Sequence, residues 1–245
     1  MIRQYLYRVN LVMLFLGGFS ISIVAQCERC EHLEPVSGVF DDFDHSIEYD
    51  LKLREYFLSE LPERYELRYI VKPSFEYEYV FQINRIENSD NLKVILLIGR
   101  NSIWYDVVSR KPYEENPYSE KGKVGFDKDN PPPIPKDKFK IKRYEASLST
   151  QDFHVIKDLM DIVILQTKYT PPTGLIGTDG TTHFFSVSLD WYKSGQIWSP
   201  KEGSKMDRLI KIFEEMCKRT KRKRTLKING ELENQIQELK VDISK

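Results

Sequence analysis

The chain has 245 residues, of which 40% are hydrophobic and 30% are charged, with 37 basic residues balanced by 37 acidic ones. This composition is near the globular average, so it supports a packed core and excludes a chain too polar to fold. The zero formal net charge excludes a uniformly basic or acidic protein. Acidic residues nevertheless dominate 26–62 and basic residues dominate 201–227, so these segments are expected to attract each other or a charged partner.

The N-terminus has the three-part layout of a secretory signal peptide. Arg3 and Arg8 form a positive n-region, residues 11–19 form an apolar h-region, and Ala25 offers a small-residue cleavage site. The apolar stretch is interrupted by glycine and serine and is shorter than the roughly 20 residues of a spanning helix. We therefore expect residues 1–25 to be removed and the mature chain to be periplasmic or secreted, with an uncleaved anchor as the alternative.

The junction after the leader also offers a lipidation site at Cys27. Lipoprotein signals place glycine, alanine or serine directly before the modified cysteine, and Gln26 occupies that position. Cleavage after Ala25 explains these residues better than lipidation does. A soluble mature chain of residues 26–245 is therefore expected rather than a lipoprotein.

The N-terminal extension, residues 26–45, carries a cysteine pair. Cys27, Cys30 and Cys217 are the disulfide candidates, because an oxidising compartment favours one disulfide and one remaining thiol. A tail with free thiols is the alternative. Cys27, Cys30 and His32 supply three of the four ligands that structural zinc requires, which makes them a weak metal candidate. The pair lacks the preceding strand of a thioredoxin-type motif, and no histidine directly follows its second cysteine as haem attachment requires, so no cofactor is expected.

The first predicted α+β half comprises residues 46–110. Residues 46–61 favour a helix that ends at Pro62, although part of the stretch also alternates as a strand would. The predicted buried face of this helix consists of Ile47, Leu51, Leu58 and Leu61. Strands of an antiparallel meander are predicted at 65–71, 77–86, 92–98 and 103–108.

Residues 111–138 form a polar, proline-rich linker or loop containing "PPPIP". Such a segment favours extended polyproline II geometry. A semi-rigid spacer is expected, and a segment recognised by a partner is the alternative.

The second predicted half comprises residues 139–222. A strand at 139–146 precedes a helix capped by Ser149, and a strand at 181–192 turns back at "KSG". The next helix has two competing starts, at Ser199 and at Ser204, and residues 223–245 follow as a C-terminal tail. The predicted apolar stripes are Phe153, Ile156, Leu159, Met160, Val163 and Ile164 in the first helix, and Met206, Leu209, Ile210, Phe213 and Met216 in the second.

This order of elements predicts the α+β class, with flanking helices on an antiparallel sheet or sheets. Two similar-looking halves are joined by the long proline-rich insert, and the pattern leaves open whether they share one sheet. Trp198 is expected to be buried against the Met206–Leu209–Phe213 helix face and to fix that helix on the sheet.

The best candidate for catalysis is the stretch "GTDGTTHFF". Asp179 and His183 would provide the acid and imidazole that general base chemistry requires, although Asp-Gly is also ordinary turn chemistry. His154 and Asp158 are interpreted as a solvated helix pair. "DDFDH" (41–45) lacks the glycine and distal glutamate of a calcium loop. The sequence contains no recognised hydrolase or phosphate-binding motif.

Residues 218–227, "KRTKRKRTLK", are strongly basic. Cations at a helix C-terminus oppose the helix dipole, which is the simplest explanation. The alternative is contact with an anionic membrane surface or an acidic partner, whereas export argues against nucleic acid.

Four blocks of the sequence, "KPSFEYEYVFQI", "NSIWYDVV", "GTDGTTHFFSV" and "GQIWSPKEGSKMDRLIKI", together resemble an uncharacterised family of exported bacterial proteins. The resemblance implies an exported α+β domain and carries over no catalytic residue. We expect an exported, non-enzymatic interaction protein of the cell envelope, of immunity or accessory type, with an unknown protein or envelope component as partner. An envelope hydrolase that uses Asp179 and His183 is the alternative.

Overall fold

The computed structural model describes residues 31–36, 45–87, 89–104, 136–169 and 180–245. Its helices are α1 (His45–Tyr56), α2 (Thr150–Leu165), α3 (Lys205–Arg222) and α4 (Glu231–Ile243). Its strands are β1 (Leu67–Pro73), β2 (Tyr79–Arg85), β3 (Asn91–Gly99), β4 (Ile141–Ser149), β5 (Thr181–Ser188), β6 (Tyr192–Trp198) and β7 (Thr225–Leu226). Short 3-10 helices occupy Leu58–Glu60 and Lys136–Lys138. Helices therefore flank a sheet, and the predicted α+β class is confirmed.

All seven strands belong to one sheet with the order β6-β5-β1-β2-β3-β4-β7. Every neighbouring pair is antiparallel except β4 and β7. Strand β5 lies beside β1, and β4 lies beside β3, so both predicted halves contribute to the same sheet. The similarity of the two halves stays a prediction. The role of residues 111–138 also stays a prediction, because most of that segment lies outside the described residues.

Alternation along the strands gives the sheet two different faces. In β1, Leu67, Tyr69 and Val71 are buried on the face that we call the helical face, which packs on α2, α3 and α4. Arg68 and Lys72 point to the opposite face, which we call the second face. The sheet therefore separates a main apolar core from a smaller, more polar layer.

Helix α2 of the main core begins where its capping residue predicts. The Ser149 side chain accepts a hydrogen bond from the Asp152 amide at the start of α2, and every residue of the predicted α2 stripe is buried. The predicted apolar face of α3 is also buried.

The start of α3 is at the second of its two candidate caps, because the Ser204 side chain accepts a hydrogen bond from the Asp207 amide. The alternative start at Ser199 is wrong. Ser199 instead closes the end of the sheet, where its amide donates to the Thr181 carbonyl at 2.9 Å and its Oγ accepts from the Thr181 amide at 2.8 Å.

Helix α1 covers part of the second face, and its predicted buried face is correct at Leu61 and partly at Leu58, which pack in the cluster beneath the helix, but wrong at Leu51. Leu51 is 60% exposed. The buried positions are instead Tyr49, Leu53, Tyr56 and Phe57, which recur at helical spacing and pack on Val80, Ile95 and Leu97 of the sheet. Two tyrosines and one phenylalanine supply most of this face, so aliphatic periodicity alone misplaces it.

Two other sequence predictions for local structure are corrected. Ile103 and Trp104, predicted to begin a strand, have helical conformation, and residues 105–108 lie outside the described residues. The β5–β6 turn comprises residues 189–191, so "KSG" lies inside β6. Gly195 is needed there because a Cβ at that position would lie 2.8 Å from the Cβ of Leu33, which packs on the helical face.

The predicted C-terminal tail is an integral part of the core. Thr225 and Leu226 of β7 pair with Ser147 and Leu148 of β4. Helix α4 buries Leu232, Ile236, Leu239 and Ile243, and it packs on α2 and α3. Within the described residues, none of the helices is both long enough and apolar enough to cross a membrane.

Candidate functional site

Of the candidate catalytic pair, Asp179 and His183, the structure describes only His183, because Asp179 lies outside the described residues. His183 is on β5 and points into the main core, where it is 6% exposed. Its Nδ1 lies 2.8 Å from the Tyr69 hydroxyl, and the two rings stack. Burial lowers the pKa of His183 to about 4, so the imidazole is neutral at pH 7. The described surroundings of His183 are those of a core residue.

The other predicted cysteine and histidine sites have ordinary structural surroundings where they are described. Cys217 is a free thiol on α3, buried in the main core, and burial raises its pKa well above its usual value. His32 is 8% exposed, and its Nδ1 lies 3.0 Å from the Leu33 carbonyl oxygen. Cys27 and Cys30 lie outside the described residues, so the disulfide and zinc candidates stay predictions. The described ranges contain no group of three metal-ligating side chains.

The remaining charged candidates from the sequence are on the protein surface. Asp158 accepts a hydrogen bond from Lys240 at 2.9 Å, and His154 is exposed. In the basic segment 218–227, Arg219 pairs with Glu215 at 3.0 Å, so part of the positive charge of this segment is neutralised. A shallow cavity of about 580 Å³ lies beside Lys223 and Arg224. Contact of this segment with a membrane stays a prediction.

A different site is formed on the second face, in a cleft between α1 and strands β1, β5 and β6. Its volume is about 270 Å³. The residues that give it its chemical character are Arg54, Arg68, Lys72, Leu53, Ile70 and Phe184. We call this feature the sheet cleft, and it combines cationic groups with an apolar floor.

Arg68 is the most constrained cation of the sheet cleft. Its Nε donates to Gln82 Oε1 at 2.6 Å, and its guanidinium carbon lies 3.9 Å from the centre of the Tyr65 ring. Gln82 is itself completely buried and donates to the carbonyl of Pro62 at 3.0 Å and to Asn84 Oδ1 at 2.6 Å. These contacts fix the plane of the guanidinium before any ligand arrives.

The charges of the sheet cleft do not balance within the described residues. Lys72 pairs with Asp50, whereas neither Arg54 nor Arg68 has a described carboxylate partner. Burial lowers the pKa of Arg68, Tyr65 and Tyr192 oppose this shift, and Arg54 adds to it. Arg68 is thus a partly desolvated cation in a lining that also contains the exposed Arg54, an arrangement that favours the entry of an anion.

One wall of the sheet cleft is a chain of hydroxyl groups. Ser194 donates to Ser186 at 2.9 Å, and the Ser186 Oγ lies 2.9 Å from the Tyr65 hydroxyl. The Tyr65 ring also packs on Tyr192, with 4.5 Å between ring centres. This network holds Tyr65 against Arg68.

A second buried polar cluster lies under α1 and is structural. The Glu78 carboxylate is completely buried and accepts hydrogen bonds from the Tyr49 hydroxyl at 2.8 Å, the Ile103 amide at 2.9 Å and the Trp104 amide at 3.1 Å. Burial raises the pKa of Glu78, and these hydrogen bonds oppose the shift. The cluster ties α1 and residues 103–104 to the start of β2.

Trp198, predicted to be a core residue, is 44% exposed. Its neighbour Ile197 takes the core position on β6, so alternation along the strand turns the Trp198 side chain to the second face. A Cβ at Gly180 would lie 2.6 Å from the indole, which shows that the ring rests on this glycine rather than on α3.

The sheet cleft has no signature in the local sequence that would predict it. The alternation in "LRYIVKP" signals that Arg68 and Lys72 share one face of β1, but no local pattern places β5 beside β1. No protein-family model, no curated protein and no solved structure matches this chain significantly.

Proposed function

We propose that the protein is an exported, non-enzymatic binding protein of the cell envelope and that the sheet cleft is its ligand site. The observation that carries the proposal is the pair of guanidinium groups, Arg54 and Arg68, that have no described carboxylate partner beside an apolar floor. A cleft that combines apolar side chains with a few fixed polar groups is the usual form of a ligand site. An immunity-type inhibitor or an accessory factor belongs to this class.

The side chains of the sheet cleft suit binding better than catalysis. The described lining contains no histidine or cysteine. Its two serines bond to each other and to Tyr65 rather than to a base, and Asp50 is paired with Lys72. General base and nucleophilic catalysis both require a base within hydrogen-bond reach of the reacting group.

The hydrolase alternative depends on Asp179 and His183. His183 faces the main core on the opposite side of the sheet from the sheet cleft, and its described partner is Tyr69. Because replacing a core residue can unfold the chain, Asp179→Ala alone is the cleaner first test, followed by the double alanine variant. An unchanged cellular phenotype in both would exclude the hydrolase, whereas loss of phenotype with an unchanged melting temperature would exclude the binding proposal.

Export is supported by the leader, whose charged, apolar and small-residue regions occur in the order of a signal peptide. Intact mass spectrometry of the exported protein tests it. We expect a mature chain that begins at Gln26, with or without cyclisation to pyroglutamate. A diacylglyceryl mass on Cys27 would contradict the soluble form and assign a lipoprotein.

The binding proposal is tested by affinity capture from the envelope fraction with three immobilised forms of the mature chain. The double variant Arg54→Gln/Arg68→Gln removes the two cations of the sheet cleft that have no carboxylate partner among the described residues. Arg143→Gln is the matched control, because Arg143 lies on β4 outside the sheet cleft and already pairs with Glu145 at 2.8 Å. We expect the wild type and the control to retain the same ligand and the double variant to lose it. Equal retention by all three forms would refute the sheet cleft as the ligand site.

A further inference from the structure

We infer that the sheet cleft binds a small carboxylate carried on an apolar or aromatic body and that Arg68 contacts the carboxylate. This inference rests on the proposed function and names its ligand class. Three features of the sheet cleft support this inference: the fixed guanidinium of Arg68, the excess of cationic over anionic side chains among its described lining residues, and the apolar floor.

Arg68 presents a fixed set of N–H donors, most of which have no partner among the described residues. A guanidinium has five N–H groups. Only the Nε donor and one Nη2 donor have described partners, the Gln82 side chain at 2.6 Å and the Pro62 carbonyl at 3.4 Å. The free Nη donors lie in one plane, a geometry that matches the two oxygens of a carboxylate.

Arg68 is positioned by buried polar side chains of β2, at positions where apolar residues would suffice for packing the sheet. Gln82 and Asn84 are 0% and 5% exposed, on a strand whose other buried residues are apolar. Buried amides lower stability unless they are hydrogen-bonded. Gln82 bonds to Arg68, Pro62 and Asn84, whereas the buried Nδ2 of Asn84 has no partner among the described residues. A preoriented guanidinium loses less conformational entropy when a ligand binds.

The charges of the sheet cleft favour an anion at its Arg68 end rather than at its Lys72 end. Arg54 and Arg68 attract an anion, but the Asp50 carboxylate at the Lys72 end lines the same space. The Asp50 carboxylate repels an anion at that end, so the favourable position for an anion is beside the two guanidinium groups.

The remaining surface of the sheet cleft is apolar. Leu53, Ile70 and Phe184 form its floor, and Lys72 lies 4.8 Å from the centre of the Phe184 ring. A volume of about 270 Å³ admits one small molecule, with room for a body of about the size of a phenyl group. Removing that body from water adds affinity that an inorganic anion cannot gain.

Calorimetric titration of the mature chain with three probes tests the ligand class. The probes are sodium 3-phenylpropanoate, the uncharged 3-phenylpropanamide and inorganic phosphate. We expect 3-phenylpropanoate to bind at least about tenfold more tightly than either of the others, because only it offers both the charge and the ring. Equal affinity for the amide would overturn the role of the carboxylate, and equal affinity for phosphate would overturn the role of the apolar floor. No saturable binding of any probe would overturn the ligand class.

Substitutions at Arg68 locate the site. Arg68→Gln is expected to weaken 3-phenylpropanoate binding at least about tenfold, and Arg68→Lys is expected to be intermediate because it keeps the charge but loses the planar fork. Arg143→Gln should bind as the wild type does. Thermal melting of each variant checks that it is folded. Wild-type affinity in a folded Arg68→Gln variant would refute the assignment of Arg68, and so would wild-type affinity in Arg68→Lys.

The outcomes separate the ligand class from the broader function. If envelope capture depends on Arg54 and Arg68 but 3-phenylpropanoate does not bind, the ligand class is wrong and the binding proposal stands. If capture is the same in the double variant and the wild type, the proposed function fails whatever the probes show.

Discussion

The two faces of the sheet are built from the same strands but differ in what covers them. On the helical face, α2, α3 and α4 bury a continuous apolar core that includes Tyr69, Phe81, Phe185 and Phe213. On the second face, α1 packs over Val80, Ile95 and Leu97, and strands β1, β5 and β6 contribute to the sheet cleft. Stability is therefore expected to depend mainly on the helical face, and ligand binding on the second face.

Strand β1 shows how one short sequence serves both faces. Leu67, Tyr69 and Val71 are each at most 3% exposed, in the main core. Arg68 and Lys72 alternate with them and keep their charged groups in the sheet cleft. Shifting this strand by one residue would exchange its buried apolar residues with its charged residues. Packing of the main core therefore also fixes the direction in which Arg68 points.

The largest expected effect is the loss of an aromatic ring from the helical face. Phe213 is fully buried, and its ring centre lies 4.9 Å from that of Tyr69 and 5.1 Å from that of Phe185. Phe213→Ala should lower the free energy of unfolding by about 3–5 kcal/mol, measured by urea denaturation. Phe75→Ala is the matched control, because Phe75 is 72% exposed, and it should change stability little. Similar losses in both variants would contradict the assignment of Phe213 to the core that stabilises the protein.

The pH dependence of stability tests the burial of His183. Because burial lowers its pKa to about 4, the folded chain favours the neutral imidazole, and this contribution is complete above the unfolded pKa near 6.5. It is lost as the pH falls from about 6.5 through 4. We therefore expect the unfolding free energy of the wild type, relative to that of His183→Gln, to be about 2 kcal/mol lower at pH ~5 than at pH ~7.5.

Urea denaturation of both proteins at the two pH values measures this difference. His183→Gln supplies the control, since it leaves every other titrating group in place. A constant difference between the two proteins across this range would show that His183 titrates normally and is not a core residue.

The polar cluster under α1 should have an intermediate effect. Glu78→Gln replaces an oxygen acceptor with an amide nitrogen that faces donors from Tyr49, Ile103 or Trp104. The expected loss of stability is about 1–3 kcal/mol, measured by urea denaturation. Glu238→Gln is the control because its side chain is 72% exposed. If the Glu78→Gln variant is as stable as the wild type, this cluster does not hold α1 on the sheet.

The smallest expected effect is at Trp198, on the second face. Since the residue is 44% exposed and rests on Gly180, Trp198→Ala should cost no more than about 1 kcal/mol, compared with about 3–5 kcal/mol for a core tryptophan. Thermal melting measures the difference. A drop as large as that of Phe213→Ala would restore the core role that the sequence predicted.

Local patterns predicted the elements of the fold well where caps and periodicity agreed. Ser149 with Asp152, and the aliphatic stripe of α2, specify that helix from residues close in the chain. The same reasoning misplaced part of the buried face of α1, because it relied on aliphatic residues and did not include Tyr49 and Tyr56, whose rings are buried. It also missed α4, whose four apolar positions are spaced as one helix face but follow a strongly basic segment.

The sheet cleft could not be predicted from local patterns, because it depends on residues far apart in the sequence. Arg68 meets Ser186 and Ser194 only because β1 pairs with β5 and β5 with β6. The Asn84–Gln82–Arg68 hydrogen bonds likewise depend on the register of β1 with β2, in which Arg68 is opposite Gln82. Such pairing is a property of the whole sheet, and a single sequence does not reveal it.

The most direct test of the account is a crystal structure of the mature chain with 3-(4-bromophenyl)propanoate, with the bromine located by its anomalous signal. The account predicts a bromine peak over Ile70 and Phe184, and carboxylate oxygens within about 3 Å of the Arg68 guanidinium. A bromine peak elsewhere on the protein, or an unoccupied sheet cleft at saturating ligand, would contradict it.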